Sequence, residues 1–220
     1  MKSKKWMLGL GLAVAIGIAF VGCGKKNQEV ATESGAAANT LDGSGAVYIV
    51  DTVASLIEWT GGTPANYKHT GNLRLKDGKF TANENRLTSG NFTIDINSIN
   101  NLDQSGKDKS NLEEHLKNSD FFEVEKFPFG QFEITQTKTD STGQKVIGNL
   151  TLKGKTNTIE IPVTLLIDEN KISAETPEFV IDRTKWGIVY QSGIIGTLKD
   201  DLINDEVIIK LKIVANKQAQ

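Results

Sequence analysis

Cysteine is almost absent: the 220-residue chain has one, Cys23. This excludes disulfides within the chain, thiolate-ligated zinc and iron–sulfur clusters. Because Cys23 ends an export-type segment, the folded part also has no thiol for catalysis. Histidine is nearly as scarce, with His69 and His115 the only two. Any metal site would be mostly carboxylate, and any Ser-His mechanism would have to use one of them. A positive excess is missing as well. Removal of residues 1–22 takes Lys2, Lys4 and Lys5 and no acid, leaving 198 residues with 22 basic against 27 acidic, a net charge near −5. That balance gives no electrostatic footprint for nucleic acid. No Gly-x-Ser-x-Gly elbow occurs, so a Ser-His-Asp hydrolase would have to be assembled from scattered serines. What remains is enough chain for one good core.

The beginning of the chain bears on its compartment. Lys2, Lys4 and Lys5 precede an apolar run from Trp6 to Val21. The run is short for a spanning helix and fits the basic and apolar regions of a secretory signal. Phe20-Val21-Gly22-Cys23 resembles a bacterial lipobox, in which the cysteine becomes the new N-terminus and carries acyl chains that hold a membrane firmly. Gly9-Leu10-Gly11 follows no strand and is no dinucleotide loop. From Gly24 to Gly45 there is almost no large apolar residue, which reads as a flexible tether with a reach of roughly 25 Å. The expected organisation is signal 1–22, acylated Cys23 and tether 23–45, one domain 46–216 and a polar tail 217–220.

Within the domain the hydrophobic period is two. Phe92, Ile94 and Ile96 alternate with polar residues, as do Phe132 and Ile134, Leu150 and Leu152, Ile159 to Ile167, and Val207 to Ile213. Each such strand has one dry face. Asp77-Gly78, Asp140 to Gly143 and Asp168-Glu169-Asn170 read as turns. Seven or eight strands with short turns predict an antiparallel sheet that closes on itself, since a long open edge invites aggregation. One segment differs. Ser110-Asn111-Leu112-Glu113 reads as a capping box opening a short helix to about Lys117. Leu112 and Leu116 share one face of it. Phe121, Phe122, Phe127 and Phe129 follow at once. Such a cluster either packs a core or lines the mouth of a barrel, because about eight strands enclose an interior that is filled or holds one small ligand.

Several motifs occur in a fixed order: Tyr48-Ile49-Val50-Asp51, Ser55 to Trp59, Lys68-His69-Thr70-Gly71, Ser98 to Asp103, His115 to Val124, Gly148 to Gly154 and Ile181 to Ile188. Together they resemble the YceI-like family, exported proteins described as binding polyisoprenoids and related amphiphiles. Trp59 and His69-Thr70-Gly71 are similar to the lipoprotein branch. Glu123 stands where the family usually has Asp, and Asn118 where a basic residue followed by serine is expected. The resemblance implies an all-β fold, an extended eight-stranded antiparallel lipocalin-like barrel with a short α-helix near one end. It also implies an elongated apolar cavity for a long-chain lipid.

The residues expected to line such a cavity are Trp59, Phe92, Ile94, Phe121, Phe122, Phe132, Leu150, Ile161, Phe179 and Trp186. His69, His115 and Arg183 are the candidates for a headgroup. Each has a plainer reading: the histidines as packing at the barrel mouth, Arg183 as an ion pair with Asp182 that fixes its loop, with a phosphate or carboxylate fork as the alternative. Asp51 is expected to accept hydrogen bonds at a turn. His115 beside Glu113 and Glu114 lacks His-Glu-x-x-His spacing, so no metal or cofactor is called for. The expected function is a binding protein rather than an enzyme, tethered in the bacterial envelope at the periplasmic face of the outer membrane. A filled barrel acting through partners, a hydrolase and a homodimer stay open.

Overall fold

The computed structural model describes residues 37–198 and 201–219. The expected signal, Cys23 and the tether as far as residue 36 lie outside the described residues. Eleven strands and one helix appear in the order β1 (Ala37–Thr40), β2 (Ala46–Val50), β3 (Leu56–Gly62), β4 (Lys68–Asn83), β5 (Arg86–Asn101), α1 (Gly106–Lys117), β6 (Phe129–Asp140), β7 (Gly143–Leu152), β8 (Lys155–Ile167), β9 (Lys171–Glu175), β10 (Phe179–Asp182) and β11 (Glu206–Lys217).

All pairings are antiparallel, and they close. The path β6-β5-β4-β2-β11-β9-β8-β7 returns to β6 through β6–β7 pairing. The eleven segments reduce to eight positions around the ring and one addition. β2 and β3 both lie between β4 and β11, and β9 and β10 both pair with β11, so each couple is one interrupted strand. Hydroxyls bridge both interruptions. Ser55 Oγ accepts from Val214 N at 2.9 Å and donates to Val214 O, while Thr176 Oγ1 accepts from Leu211 N at 2.9 Å. Asp51 takes the N–H groups of Val53 and Ala54 at 3.0 and 2.9 Å, forming the turn between β2 and β3.

The period-two residues point inward as their alternation requires. Phe92, Ile94, Ile96, Phe132, Ile134, Leu150, Leu152, Ile161 and Val163 are all buried in one core, whereas Asn91, Asn97 and Glu133 are exposed.

Three expectations need correction. Asp77-Gly78 is not a turn but lies inside the 16-residue β4, beside a bulge where the register with β5 shifts between Leu75 and Asp77. A side chain at Gly78 would strike Val50 and Phe92, so that glycine answers a close approach. The turn is Glu84-Asn85, both with positive φ. Second, α1 starts a turn earlier than the capping box implied, after an extended Ser105 that makes no side-chain cap. Ser110 is inside the helix, and Glu113 accepts the N–H of Asn101 at 2.8 Å instead of reaching back. Third, a strand lies inside the expected tether: β1 pairs with β6 from Ala37↔Thr139 to Thr40↔Gln136, along the stretch of β6 that β5 leaves free.

Aromatic rings lie on glycines of neighbouring strands. Trp59 is opposite Gly71 and Phe80 opposite Gly90, and Phe132 covers Gly148 diagonally. A Cβ at Gly148 would stand 2.4 Å from Phe132 Cζ and 2.5 Å from Glu133 O. Gly148→Ala is therefore expected to destabilise by about 1–3 kcal/mol. Gly61→Ala, where a Cβ meets nothing within 4 Å, should leave the urea midpoint nearly unchanged; equal midpoints for the two variants would contradict this packing.

Candidate functional site

The ring is not filled. Inside it is a cavity of about 410 Å³ that runs from the middle of the barrel to the end covered by α1. That volume lies within the usual range for small-ligand pockets. Its floor and sides come from inward residues of successive strands, among them Phe92, Ile94, Phe132, Leu150 and Ile161. Phe121 and Phe122, in the loop after α1, close part of one side, and Phe179 and Trp186 close another. The wall is almost wholly hydrocarbon, and its polar side chains gather at the α1 end.

Trp59, His69 and Arg183 also border the cavity. Trp186 sits in a 3-10 turn, Arg183–Trp186, that begins where Asp182 accepts from Thr184 N at 2.9 Å and ends on left-handed Gly187. Its Nε1 donates to Leu150 O at 2.9 Å. His115 does not border the cavity. Leu112 and Leu116 take the inward face of α1, which turns His115 to the side. There its Nε2 meets Asp120 Oδ2 at 3.0 Å, and its ring stands edge-on to Phe121 and Tyr190. The expected headgroup role for His115 is replaced by packing behind Phe121.

Arg183 is 5% exposed, and three of the guanidinium N–H groups meet backbone carbonyls. Nε reaches Asn204 O at 3.0 Å, one terminal nitrogen Ile188 O at 2.8 Å and the other Ile203 O at 3.0 Å. Asp205 Oδ1 is 3.4 Å away, an ion-pair distance without hydrogen-bond geometry. Burial pulls the guanidinium below its ordinary pKa, opposed by Asp205 and Asp182, and it stays protonated. Arg183 thus pins both ends of the 188–205 connection, which matches the plainer reading of the sequence; the partner is Asp205 and three carbonyls rather than Asp182.

A polar hub at the α1 end was not foreseen. Asn101, fully buried, donates to Thr70 O at 3.0 Å and to Asp103, and accepts from Gln104 N at 3.0 Å. Asp103 accepts from Thr70 N at 2.7 Å and meets His69 Nδ1 at 2.8 Å. Because an ionised carboxylate only accepts, Nδ1 carries the proton there. The His69 ring is also braced edge-on by Tyr67, with centroids 4.8 Å apart. Burial opposes ionisation of Asp103, but the Thr70 N–H, His69 and Asn101 outweigh it and hold the carboxyl below its ordinary value of 3.8. Among the described residues no cluster of three or more His, Cys, Asp or Glu is placed to hold a metal.

With this geometry in place the comparisons are decisive for family. A YceI-like domain matches residues 48–215. The chain belongs to the YceI-like family. The UPF0312 protein of Yersinia pestis (strain Pestoides F) is 35% identical over 99 residues, 45% of this chain and 46% of that protein. The UPF0312 protein of Yersinia enterocolitica is 34% identical over the same length. The YceI-like chain thus spans about half the length of the curated relatives it matches. Among solved structures it is similar to BcnA of Burkholderia cenocepacia, with a TM-score of 0.59, 21% identity, and 75% of this chain and 98% of that one covered. It is also similar to a polyisoprenoid binding domain from Saccharophagus degradans, with a TM-score of 0.56, 12% identity, and 80% and 100% covered. These likenesses show the lipocalin-like barrel fold.

Two outcomes follow for this end of the barrel. Arg183→Met strands three carbonyls and should cost about 3 kcal/mol in urea unfolding; Arg183→Lys, lacking the planar fork, should not restore it. For Asp103, the folded pKa lies below the unfolded one, so its contribution is complete above the unfolded value and is lost as pH falls through the folded value. Asp103→Asn should flatten the loss of stability below about pH 4. An unchanged acid limb in the pH dependence of unfolding would contradict the assignment.

Proposed function

We propose that the protein binds a long-chain amphiphile, of the isoprenoid or fatty type, with the hydrocarbon tail inside the barrel. The observation that carries this is the cavity: about 410 Å³ of open interior walled by Phe, Ile, Leu and Trp side chains within a closed sheet. A space so apolar is dry by default and favours hydrocarbon over any polar metabolite. Burial of a tail contributes about 25 cal/mol per Å² before the costs of association. The polyisoprenoid binding described for the Saccharophagus degradans domain supports the same class of ligand. A barrel filled by its own side chains is the reading that the cavity speaks against.

Acylation of Cys23 would hold the protein in the bacterial envelope, at the periplasmic face of the outer membrane, as a carrier or sensor of its ligand. The lipobox-like Phe20-Val21-Gly22-Cys23 supports this.

The test is mass spectrometry of a denaturing extract from residues 24–220, purified without detergent. A stoichiometric long-chain amphiphile is expected. Protein that is empty and also takes up neither added isoprenoid alcohol nor fatty acid would overturn the proposal.

A further inference from the structure

The cavity occupies one half of the barrel, and it stops at the same level on strand after strand. Phe132 on β6, Leu150 on β7, Ile161 on β8 and Leu211 on β11 border it. The next inward side chains away from α1 on those strands are Ile134, Val146, Val163 and Ile213, which are buried in the same core and do not border it. Leu73 and Leu75 divide in the same way on β4.

Part of the floor at this level is a row in register. Phe92 stands opposite Phe132, and Phe132 opposite Leu150. The two phenyl rings have centroids 5.2 Å apart. The Phe132 ring is seated on Gly148, where a Cβ would strike its Cζ. Beyond the floor the interior is occupied, since a Cβ at Gly90 would strike both Phe80 and Ile134. A core packed in this way does not admit extra carbon without strain. A methylene on the α1 side of the floor therefore gains burial, whereas one that cannot pass it stays in water.

We infer that Phe132, seated on Gly148 and paired with Phe92, is a specificity-determining residue that sets tail length: the methyl end of the bound tail stops at its ring. This rests on the lipid-binding reading and deepens it by naming the ligand class by length. The tail is one that ends at mid-barrel, with its head toward α1, and the far end of a longer tail is left outside.

The probes are two series, the straight-chain fatty acids from octanoic to octadecanoic and the isoprenoid alcohols geraniol, farnesol and geranylgeraniol, each measured by displacement of a bound fluorescent fatty acid. Wild-type affinity should rise about fourfold per added methylene of the fatty acids and then level off at a definite length. Phe132→Ala should move that plateau to tails longer by about four carbons, into the room vacated by the phenyl ring. Phe80→Ala removes an equal ring from beyond the floor and should leave the plateau in place, although it too loosens the core. If Phe132→Ala does not fold, the milder Phe132→Leu carries the same test with a smaller shift in the same direction. Affinity that rises without a plateau in both wild-type series overturns the inference and leaves lipid binding standing. So does a plateau that the Phe132 variants leave in place, or that Phe80→Ala shifts as far. Failure of the wild-type protein to bind any member of either series overturns both.

Discussion

Strand β11 is the closure on which the rest of the domain depends. It holds β2 and β3 along one edge and β9 and β10 along the other. Without it the ring is an open sheet, with the inward faces of Phe92, Phe132 and Leu150 uncovered. Two of its amides, Leu211 N and Val214 N, find side-chain hydroxyls at the points where the neighbouring strands break. The backbone is thus satisfied through both breaks, which matters because an unmet amide in this position would be buried. The seam joins residues far apart in sequence, 165 positions for Asp51 and Asn216. Such non-local closure predisposes the chain to slow folding.

Much of this architecture was legible in the sequence, because a dry face repeats every second residue and a barrel is the economical way to cover it. The strands carrying Phe92, Phe132, Leu150, Ile161 and Leu211 follow from alternation alone. What alternation does not encode is where a glycine serves packing. Asp77-Gly78 has the letters of a turn, yet the residue is small because Val50 and Phe92 approach it. Glu84-Asn85 makes the turn with letters that signal it weakly. The capping box is not made because Glu113 spends its carboxylate on Asn101, a partner fixed only in three dimensions.

The candidate site divides along the same line. The alternation of the strands came from the period, and the list of expected lining residues from period and family resemblance together. Residues outside regular strands did not sort themselves. His115 sits one position from Leu116 on α1, and that single step in helical phase takes it from the cavity to the Phe121 and Tyr190 rings. Arg183 reads as an ion pair that fixes its loop, but that its partners are Asp205 and three carbonyls of the 188–205 connection is fixed only in three dimensions. Asn101 and Asp103, named beforehand only within the Ser98 to Asp103 motif, organise His69.

Strand β1 gives the barrel a direction. Ala37 enters beside Thr139, next to the β6–β7 turn and at the end opposite α1. A force on the chain from that side acts along β1, in shear, so the pairs from Ala37↔Thr139 to Thr40↔Gln136 share the load instead of opening one after another.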